Sequence, residues 1–267
     1  MIELLGSNVL GDSSQGGGTE NKKKYGATID TFIGECDSEG TLNRPTDAPD
    51  LVFDGLKSID PVEPCPLAYK FYNTNIKSVS FPDLTYPAGM KSSFGHCRNL
   101  ESISFPSLKR ISSGNAFEQT FEYCSKLTSV SFPNLERVSA DEGMKGMFRQ
   151  CTSLTSITFP KLKRIDGDHA LSELAIDCSH LSSITFPALE RIEAGDVFYH
   201  ILTSGNKSLY FPALTTISDE YAFDNIAPAG VFTTLTIHFK SGMESTVQGL
   251  VGYPNFGGSN TTLLFDL

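Results

Sequence analysis

The dipeptide Phe-Pro returns through the middle of this sequence at nearly constant spacing, and that repeat constrains the fold more than any other feature. Successive copies lie 24 to 27 residues apart, and their phenylalanines are Phe81, Phe105, Phe132, Phe159, Phe186 and Phe211. Four cysteines keep the same phase at steps of 27 residues: Cys97, Cys124, Cys151 and Cys178. A fixed period of roughly 20 to 50 residues is typical of stacked structural units. The sequence therefore predicts a solenoid.

One repeat unit shows how such stacking would work. From Ser102 to Phe105 polar and apolar residues alternate, which favours a short strand with its apolar side chains inward. Pro106 ends the strand because it cannot donate to a hydrogen-bond ladder. Phe117 and Phe121 follow four residues apart, a spacing that predicts one face of a single helical turn. A unit cannot bury these groups alone, so stacked units are expected to share one core and one parallel sheet.

The repeat extends beyond the Phe-Pro copies, and nine rungs can be counted. Phe53 begins the series with its proline replaced, and Phe239 and Phe265 end it with matches to the strand alone. Residues 51–240 are thus predicted to form the solenoid proper.

The remaining segments are predicted to be a tail and two caps, because an open solenoid exposes its core and a strand edge. Residues 1–25 are polar and Gly-rich and are expected to be flexible or held by a partner chain. Residues 26–50 are predicted to cap the N-terminal end, with a strand at 27–34. Residues 241–267 are predicted to cap the other end with a helix followed by a strand.

Composition and motifs exclude several classes of function. The net charge of −10 without a basic patch argues against nucleic-acid binding, and no apolar run approaches ~20 residues, which argues against membrane insertion. The first ten residues do not resemble a secretory signal. The five histidines share no repeat position, and no nucleophile elbow, P-loop or dinucleotide fingerprint is present. We therefore expect no enzyme, no catalytic residue, no metal and no cofactor.

The repeat unit also carries a family resemblance. The run Leu154-Thr-Ser-Ile157-Thr-Phe159-Pro, followed by an apolar residue, Phe and Cys, resembles the BspA-like (Treponema-type) leucine-rich repeat family across roughly residues 51–240. The stretch from Phe239 to Leu267 resembles the terminal cap of such proteins in gut bacteria and their prophages. The predicted fold class is an α/β solenoid: a leucine-rich-repeat-like right-handed coil with a parallel sheet, short helical turns and a C-terminal αβ cap.

The resemblance implies surface adhesion or host recognition through binding of proteins or glycans. We expect a phage or prophage virion protein, of the tail or a decoration, that attaches to a protein or glycan on a cell surface. Residues 1–25 would then dock it to a virion protein. The alternative is a bacterial cell-surface adhesin, and the expected location is accordingly the virion or the extracellular surface.

Two repeated rows of side chains are candidate ligand-binding surfaces. The outward strand positions carry Ser104, Ser131, Thr158, Thr185 and Tyr210, and the next corner carries Arg110, Arg137, Arg164 and Arg191. Each row has a purely structural alternative. Small polar residues keep a sheet solvated, and the arginines are expected to be balanced by Asp166, Asp168, Glu193 and Asp196. Beside them Lys109, Glu136, Lys163 and Glu190 alternate in sign, as stacked opposite charges would.

The cysteine row has three interpretations. Buried thiols acting as small hydrophobic groups are favoured over disulfides between neighbouring rungs. A metal site is less compatible, because four sulfurs in a line do not form a tetrahedron. Cys36 and Cys65 lie outside the row, and either a pair or two free thiols fits. The loops after Ile165 and Ile192 escape the repeat and are candidate functional segments.

Overall fold

The structure, a computed structural model, forms a parallel β-solenoid of about seven turns. It describes residues 22–25, 50–59, 67–202, 205–227, 234–256 and 260–267. The cap strand predicted at 27–34 lies outside these residues, as do Cys36 and Cys65.

Short strands follow one another around each coil of the solenoid. In chain order they are β1 (Lys22–Tyr25), β2 (Asp50–Phe53), β3 (Ser58–Ile59), β4 (Ser78–Ser80), β5 (Tyr86–Pro87), β6 (Ser102–Ser104), β7 (Arg110–Ile111), β8 (Ser129–Ser131), β9 (Arg137–Val138), β10 (Ser156–Thr158), β11 (Arg164–Ile165), β12 (Ser183–Thr185), β13 (Arg191–Ile192), β14 (Lys207–Phe211), β15 (Thr216–Ile217), β16 (Thr234–Phe239) and β17 (Asn260–Leu264).

These strands form two sides of the coil. The longer strands make two five-stranded sheets, in the orders β1-β2-β4-β6-β8 and β10-β12-β14-β16-β17. The two-residue strands make a five-stranded sheet of order β15-β13-β11-β9-β7, and β3 pairs with β5. All described pairs are parallel and hold the repeat in register, so that Ile103 lies opposite Val130. This is the parallel stacking that the repeat predicted.

The core is a continuous stack of phenylalanines. The rings that key the nine rungs follow one another with centroids 4.4 to 5.8 Å apart, from Phe53 to Phe265. Seven of these rungs, from Phe53 to Phe211, have strands on both sides of the coil, whereas the last two add only β16 and β17. Side chains in such a stack lose their exposure only if both neighbouring coils are present.

The arcs that close each coil are not helical, so the predicted helical turns and the α/β class are wrong. Asn115, Gln119 and Tyr123 have φ of 56°, 52° and 58°, one left-handed residue in every four. The Phe117 N–H donates to the Gly143 carbonyl of the next coil at 2.9 Å, and the Glu118 N–H donates within its own coil to Asn115 at 3.1 Å. A four-residue turn repeat also puts residues i and i+4 on one face, which is why the spacing imitated a helix.

The ends of the described solenoid differ from the predicted caps. Within the described residues the one helix is α1 (Glu244–Gln248), a five-residue element that buries only Val247, so a helical cap is not formed. The predicted terminal strand is present as β17, which pairs with β16. At the other end β1 pairs with β2, so the last residues of the segment predicted as a tail extend the sheet. No helix in the described part of the chain has the length and apolarity needed to cross a membrane.

Candidate functional site

The row of outward hydroxyl side chains is divided between the two longer-stranded sheets. Ser104 lies opposite Ser131 in the first sheet. Thr158 lies opposite Thr185, and Thr185 opposite Tyr210, in the second. No strand pair joins β8 to β10 within the described coils, so the row is interrupted between Ser131 and Thr158. The structure thus gives two short polar surfaces in place of one uninterrupted row.

In the second of these surfaces the row side chains contact one another and a neighbouring histidine. The Thr158 and Thr185 hydroxyls are 2.9 Å apart and form a hydrogen bond. The Tyr210 ring stacks on His238 with centroids 4.4 Å apart, and His238 Nδ1 lies 3.0 Å from Asp266. The sequence did not indicate His238 as a site residue, because its strand lacks the Phe-Pro pattern. The strand register places it next to Tyr210. The surface offers hydroxyl donors and acceptors beside two stacked aromatic rings and the carboxylate of Asp266.

The arginine row lies on the sheet of two-residue strands, where carboxylates bind most of it. Arg137 Nε donates to Asp166 Oδ1 at 2.8 Å, and its Nη2 contacts the other carboxylate oxygen. Arg164 contacts Glu193 and also lies 3.5 Å from Asp166. Arg191 Nε donates to Glu193 in its own coil at 2.6 Å. Two carboxylates therefore hold three of the four guanidinium groups.

These contacts shift the charge equilibria in the expected directions. The hydrogen bond from Arg137 holds the pKa of Asp166 below its ordinary value, against the opposing effect of partial burial, and the same bond raises the pKa of Arg137. Such pairs stabilise the ionised forms of both partners. At neutral pH the carboxylate of Asp166 is therefore charged and paired with Arg137.

The balancing of the row by carboxylates is confirmed for Asp166 and Glu193 but not for the other two acids. Asp168 accepts from the Gly195 N–H at 3.1 Å, and Asp196 faces His169 at 3.7 Å. The side chains of alternating sign, Lys109, Glu136, Lys163 and Glu190, form no ion pair with one another in the described coils.

The cysteine row is a set of buried, free thiols, as the favoured interpretation held. Each Sγ donates to a phenylalanine carbonyl of the preceding coil. These bonds are Cys97 to Phe71 at 3.0 Å, Cys124 to Phe94 at 3.2 Å, Cys151 to Phe121 at 3.1 Å and Cys178 to Phe148 at 3.0 Å. Burial raises the pKa of Cys124 and Cys151 well above the ordinary value, and that of Cys178 to about 12. The row is a structural ladder with little thiolate character.

We expect the four ladder cysteines to resist modification in the native protein and to react fully after unfolding. A pKa near 12 for Cys178, against an ordinary 9.0, leaves about a thousandfold less thiolate at neutral pH. Alkylation with iodoacetamide before and after denaturation without reductant, followed by peptide mapping, measures this. Rapid native labelling of any of the four, or a disulfide-linked pair among them, would contradict the assignment.

Within the described residues, no group of three or more His, Cys, Asp or Glu side chains is arranged to hold a metal ion. The Asp166 and Asp168 pair that flanks Gly167 does not converge either, since the two carboxylates bind Arg137 and the Gly195 N–H.

The fold and its surfaces define a class of protein: a parallel repeat solenoid whose recurring apolar side chains pack the interior and whose polar and charged rows face outward. The profile of the BspA type leucine-rich repeat region matches in six copies over residues 67–194 and 118–229, which is more than half of the chain. The chain belongs to this family. Among solved structures, a leucine-rich repeat protein of Treponema pallidum is 17% identical, with 79% of this chain and 87% of that chain covered and a TM-score of 0.39. No curated protein matches the sequence.

Proposed function

We propose that this chain is a non-enzymatic binding module that attaches to a partner through the polar surface formed by Thr158, Thr185 and Tyr210. BspA-type leucine-rich repeats suggest protein binding or adhesion. The observation that carries the proposal is this surface. Its side chains stand outside the repeat core, and they differ from the small serines at equivalent positions of the first sheet.

The surface is suited to protein contact by its chemistry. Hydroxyl groups both donate and accept, so they adapt to a partner backbone without the desolvation cost of a buried charge. Tyr210 is fixed by its stack on His238 and so loses little conformational freedom on binding. Ser104 and Ser131 would extend the same contact across the interruption in the sheet. The partner is proposed to be a protein or a glycan on a cell surface.

We further propose that the module is carried on a phage or prophage particle, to which residues 1–25 dock it. The resemblance of its C-terminal stretch to the terminal caps of prophage-encoded repeat proteins supports this. A bacterial cell-surface adhesin is the alternative carrier. Either carrier places the module where BspA-type proteins generally act, at a surface or outside the cell.

Cell binding by the fluorescently labelled protein tests the proposed surface. Flow cytometry on a panel of gut bacteria would compare the wild type with a Thr158→Lys/Thr185→Lys variant, which puts two cations at the centre of the surface. A Thr215→Lys variant on the other side of the coil is the matched control. We expect at least a tenfold loss for the double variant, on the order of 1.4 kcal/mol, and none for the control. Equal binding by all three proteins, or binding to no cell type, would contradict the proposal.

Two separate measurements identify the chemical class of the partner and the particle or cell that carries the module. Loss of binding after protease treatment of the cells identifies a protein partner, whereas loss after periodate oxidation identifies a glycan. For the carrier, deletion of residues 1–25 should abolish incorporation into particles while leaving the solenoid folded. Unchanged incorporation would overturn the docking role of that segment.

A further inference from the structure

Arg110 differs from the other arginines of the row. Each of those binds a carboxylate that follows either its own strand or the strand of the next coil, and Arg110 has no carboxylate at either position. Arg137 binds the acid that follows the strand of the next coil, Asp166, and Arg164 binds its equivalent there, Glu193. Arg191 binds the acid that follows its own strand. For Arg110 the corresponding positions are Ser112 in its own coil and Ser139 in the next. The register therefore predicts a guanidinium without a partner.

The surroundings of Arg110 agree with that prediction. Its side chain is exposed and forms no ion pair with any described carboxylate. The backbone around Ser139 nevertheless matches the later coils. The Ser139 N–H donates to the Ile111 carbonyl at 2.8 Å, as the Asp166 N–H donates to the Val138 carbonyl at 3.0 Å. The backbone at Ser139 could therefore hold an acid in the same place as Asp166, but the residue there is serine.

Exposed side chains of the neighbouring coils make this corner cationic and aromatic. Tyr86, 37% exposed, has the same place in the repeat of the preceding coil as Arg110, although β5 and β7 form no strand pair among the described residues. Lys57 and Lys109 are exposed beside them, and Tyr86 N–H donates to the Lys57 carbonyl at 3.2 Å. Two acids adjoin the site: Glu136, in the coil after Lys109, and Asp166, which lies close enough to Arg110 for that guanidinium to help lower its pKa. The exposed cations of this corner attract negative groups locally, although the chain as a whole has a net charge of −10.

We propose that Arg110, Tyr86, Lys57 and Lys109 form a docking site for an acidic segment of a partner protein. A partner carboxylate would take the place at Arg110 that Asp166 takes at Arg137, as a planar bidentate contact. Arg and Tyr are, with Trp, the residue types enriched at the energetic centres of protein interfaces, which favours a peptide over an acidic sugar. The site spans the β3–β5 pair and strand β7, which belong to other sheets than the Thr158 surface. It rests on the proposed binding function only in its choice of a protein partner.

Nuclear magnetic resonance of the arginine Nε–H groups tests the site directly. The probe is an end-capped hexapeptide of glutamate, titrated into the wild type and into a Ser139→Asp variant, which restores the acid found in the later coils. We expect the Arg110 signal of the wild type to shift with a Kd on the order of 1 mM, weakening as salt is added. In the Ser139→Asp variant the response should weaken at least tenfold, because the new carboxylate occupies Arg110.

Two further variants make the result specific. Thr215→Asp adds the same charge to the same sheet, several coils away, and should leave the Arg110 response unchanged. Asp166→Ser releases Arg137 and should give its Nε–H a response to the peptide that the wild type lacks. Thermal unfolding of each variant confirms that the fold is retained.

Three outcomes would overturn the proposal. They are an Arg110 signal that does not respond to the peptide, an equal loss in the Ser139→Asp and Thr215→Asp variants, and a response to glucuronate or sialyllactose in place of the peptide. The last would assign the site to an acidic glycan. The assay uses no cells, and the Thr158→Lys/Thr185→Lys variant should respond as the wild type does. Failure here is therefore distinguishable from failure of the proposed adhesion surface.

Discussion

Replacement of Phe132 by alanine is expected to lower the free energy of unfolding by about 3 to 5 kcal/mol, the usual cost of emptying a phenylalanine site in a core. The ring is 1% exposed and lies between Phe105 at 5.3 Å and Phe159 at 5.7 Å. It also occupies the coil boundary at which β8 and β10 do not pair. There the ring stack, the two-residue β9–β11 pair and the arc hydrogen bonds, such as Met144 N–H to the Ala170 carbonyl at 2.9 Å, hold the coils together, so the longer-stranded side of the coil has no ladder to offset the lost ring.

Urea unfolding followed by circular dichroism measures this effect, since the chain has no tryptophan to report it. Because each coil contacts only its neighbours, a weakened interior boundary is expected to uncouple the two halves and give a two-step curve. Phe265→Ala is the matched control. That ring ends the stack and is only partly buried, with Phe239 at 5.6 Å, so about 1 kcal/mol is expected. Equal losses for both variants would show that the stack does not transmit stability along the solenoid.

The same stack was the part of the fold that the sequence predicted best. The same apolar residue recurs at one position of every repeat. It is buried most efficiently by packing against its own copies in the adjacent coils. Phe81 and Phe105 accordingly stack with ring planes 6° apart. Cys124 and Cys151 follow the same logic in the ladder of thiols. The family was also predictable, because the repeat unit that carries it is long and recurs many times.

The arcs were not predictable, because their pattern fits two backbones equally well. Phe117 and Phe121 are buried on one face in the four-residue turn repeat, as they would be in a helix. What distinguishes the two is a left-handed backbone at residues such as Gln119 and Tyr123, whose side chains do not favour it. Hydrogen bonds to the next coil stabilise that conformation, and they exist only after the coils have stacked.

The charged sites depended on register in the same way. The sequence showed a row of arginines and a set of acids, but the Arg137 and Asp166 pair joins residues 29 apart across a coil boundary. Only the alignment of strands reveals that Arg110 faces serines where the others face acids. Likewise, nothing in Ser131 or Thr158 marks the interruption of the hydroxyl row, because both have the residue type that a continuous sheet would have. The candidate loops after Ile165 and Ile192 take part in the stacking, since the Asp166 N–H donates to Val138 and the Glu193 N–H to Ile165 of the preceding coils.

A substitution at Gly167, in the loop after Ile165, is expected to have the second large effect on the free energy of unfolding. Gly167→Ala is expected to cost about 3 kcal/mol, because the added Cβ would lie 2.3 Å from the carbonyl oxygen and 2.5 Å from the carbonyl carbon of Ala140. Both are backbone atoms of the preceding coil, so the clash can be relieved only if the coils separate locally. The glycine is therefore required for the close approach of the two backbones.

Two glycines at related places in earlier coils provide graded controls for the same unfolding measurement. At Gly143 the added Cβ would meet the Ala140 side chain at 2.9 Å and its carbonyl oxygen at 3.0 Å, so an intermediate loss is expected. At Gly114 the one contact is ordinary, 3.7 Å from the Asp141 carbonyl oxygen, and alanine should be neutral or should stabilise by about 0.5 kcal/mol through the unfolded chain. If Gly167→Ala proved as harmless as Gly114→Ala, the loop would be standing away from the preceding coil. Asp166 would then have to reach Arg137 from a different backbone, and the partner assignments on which the Arg110 site depends would fail with it.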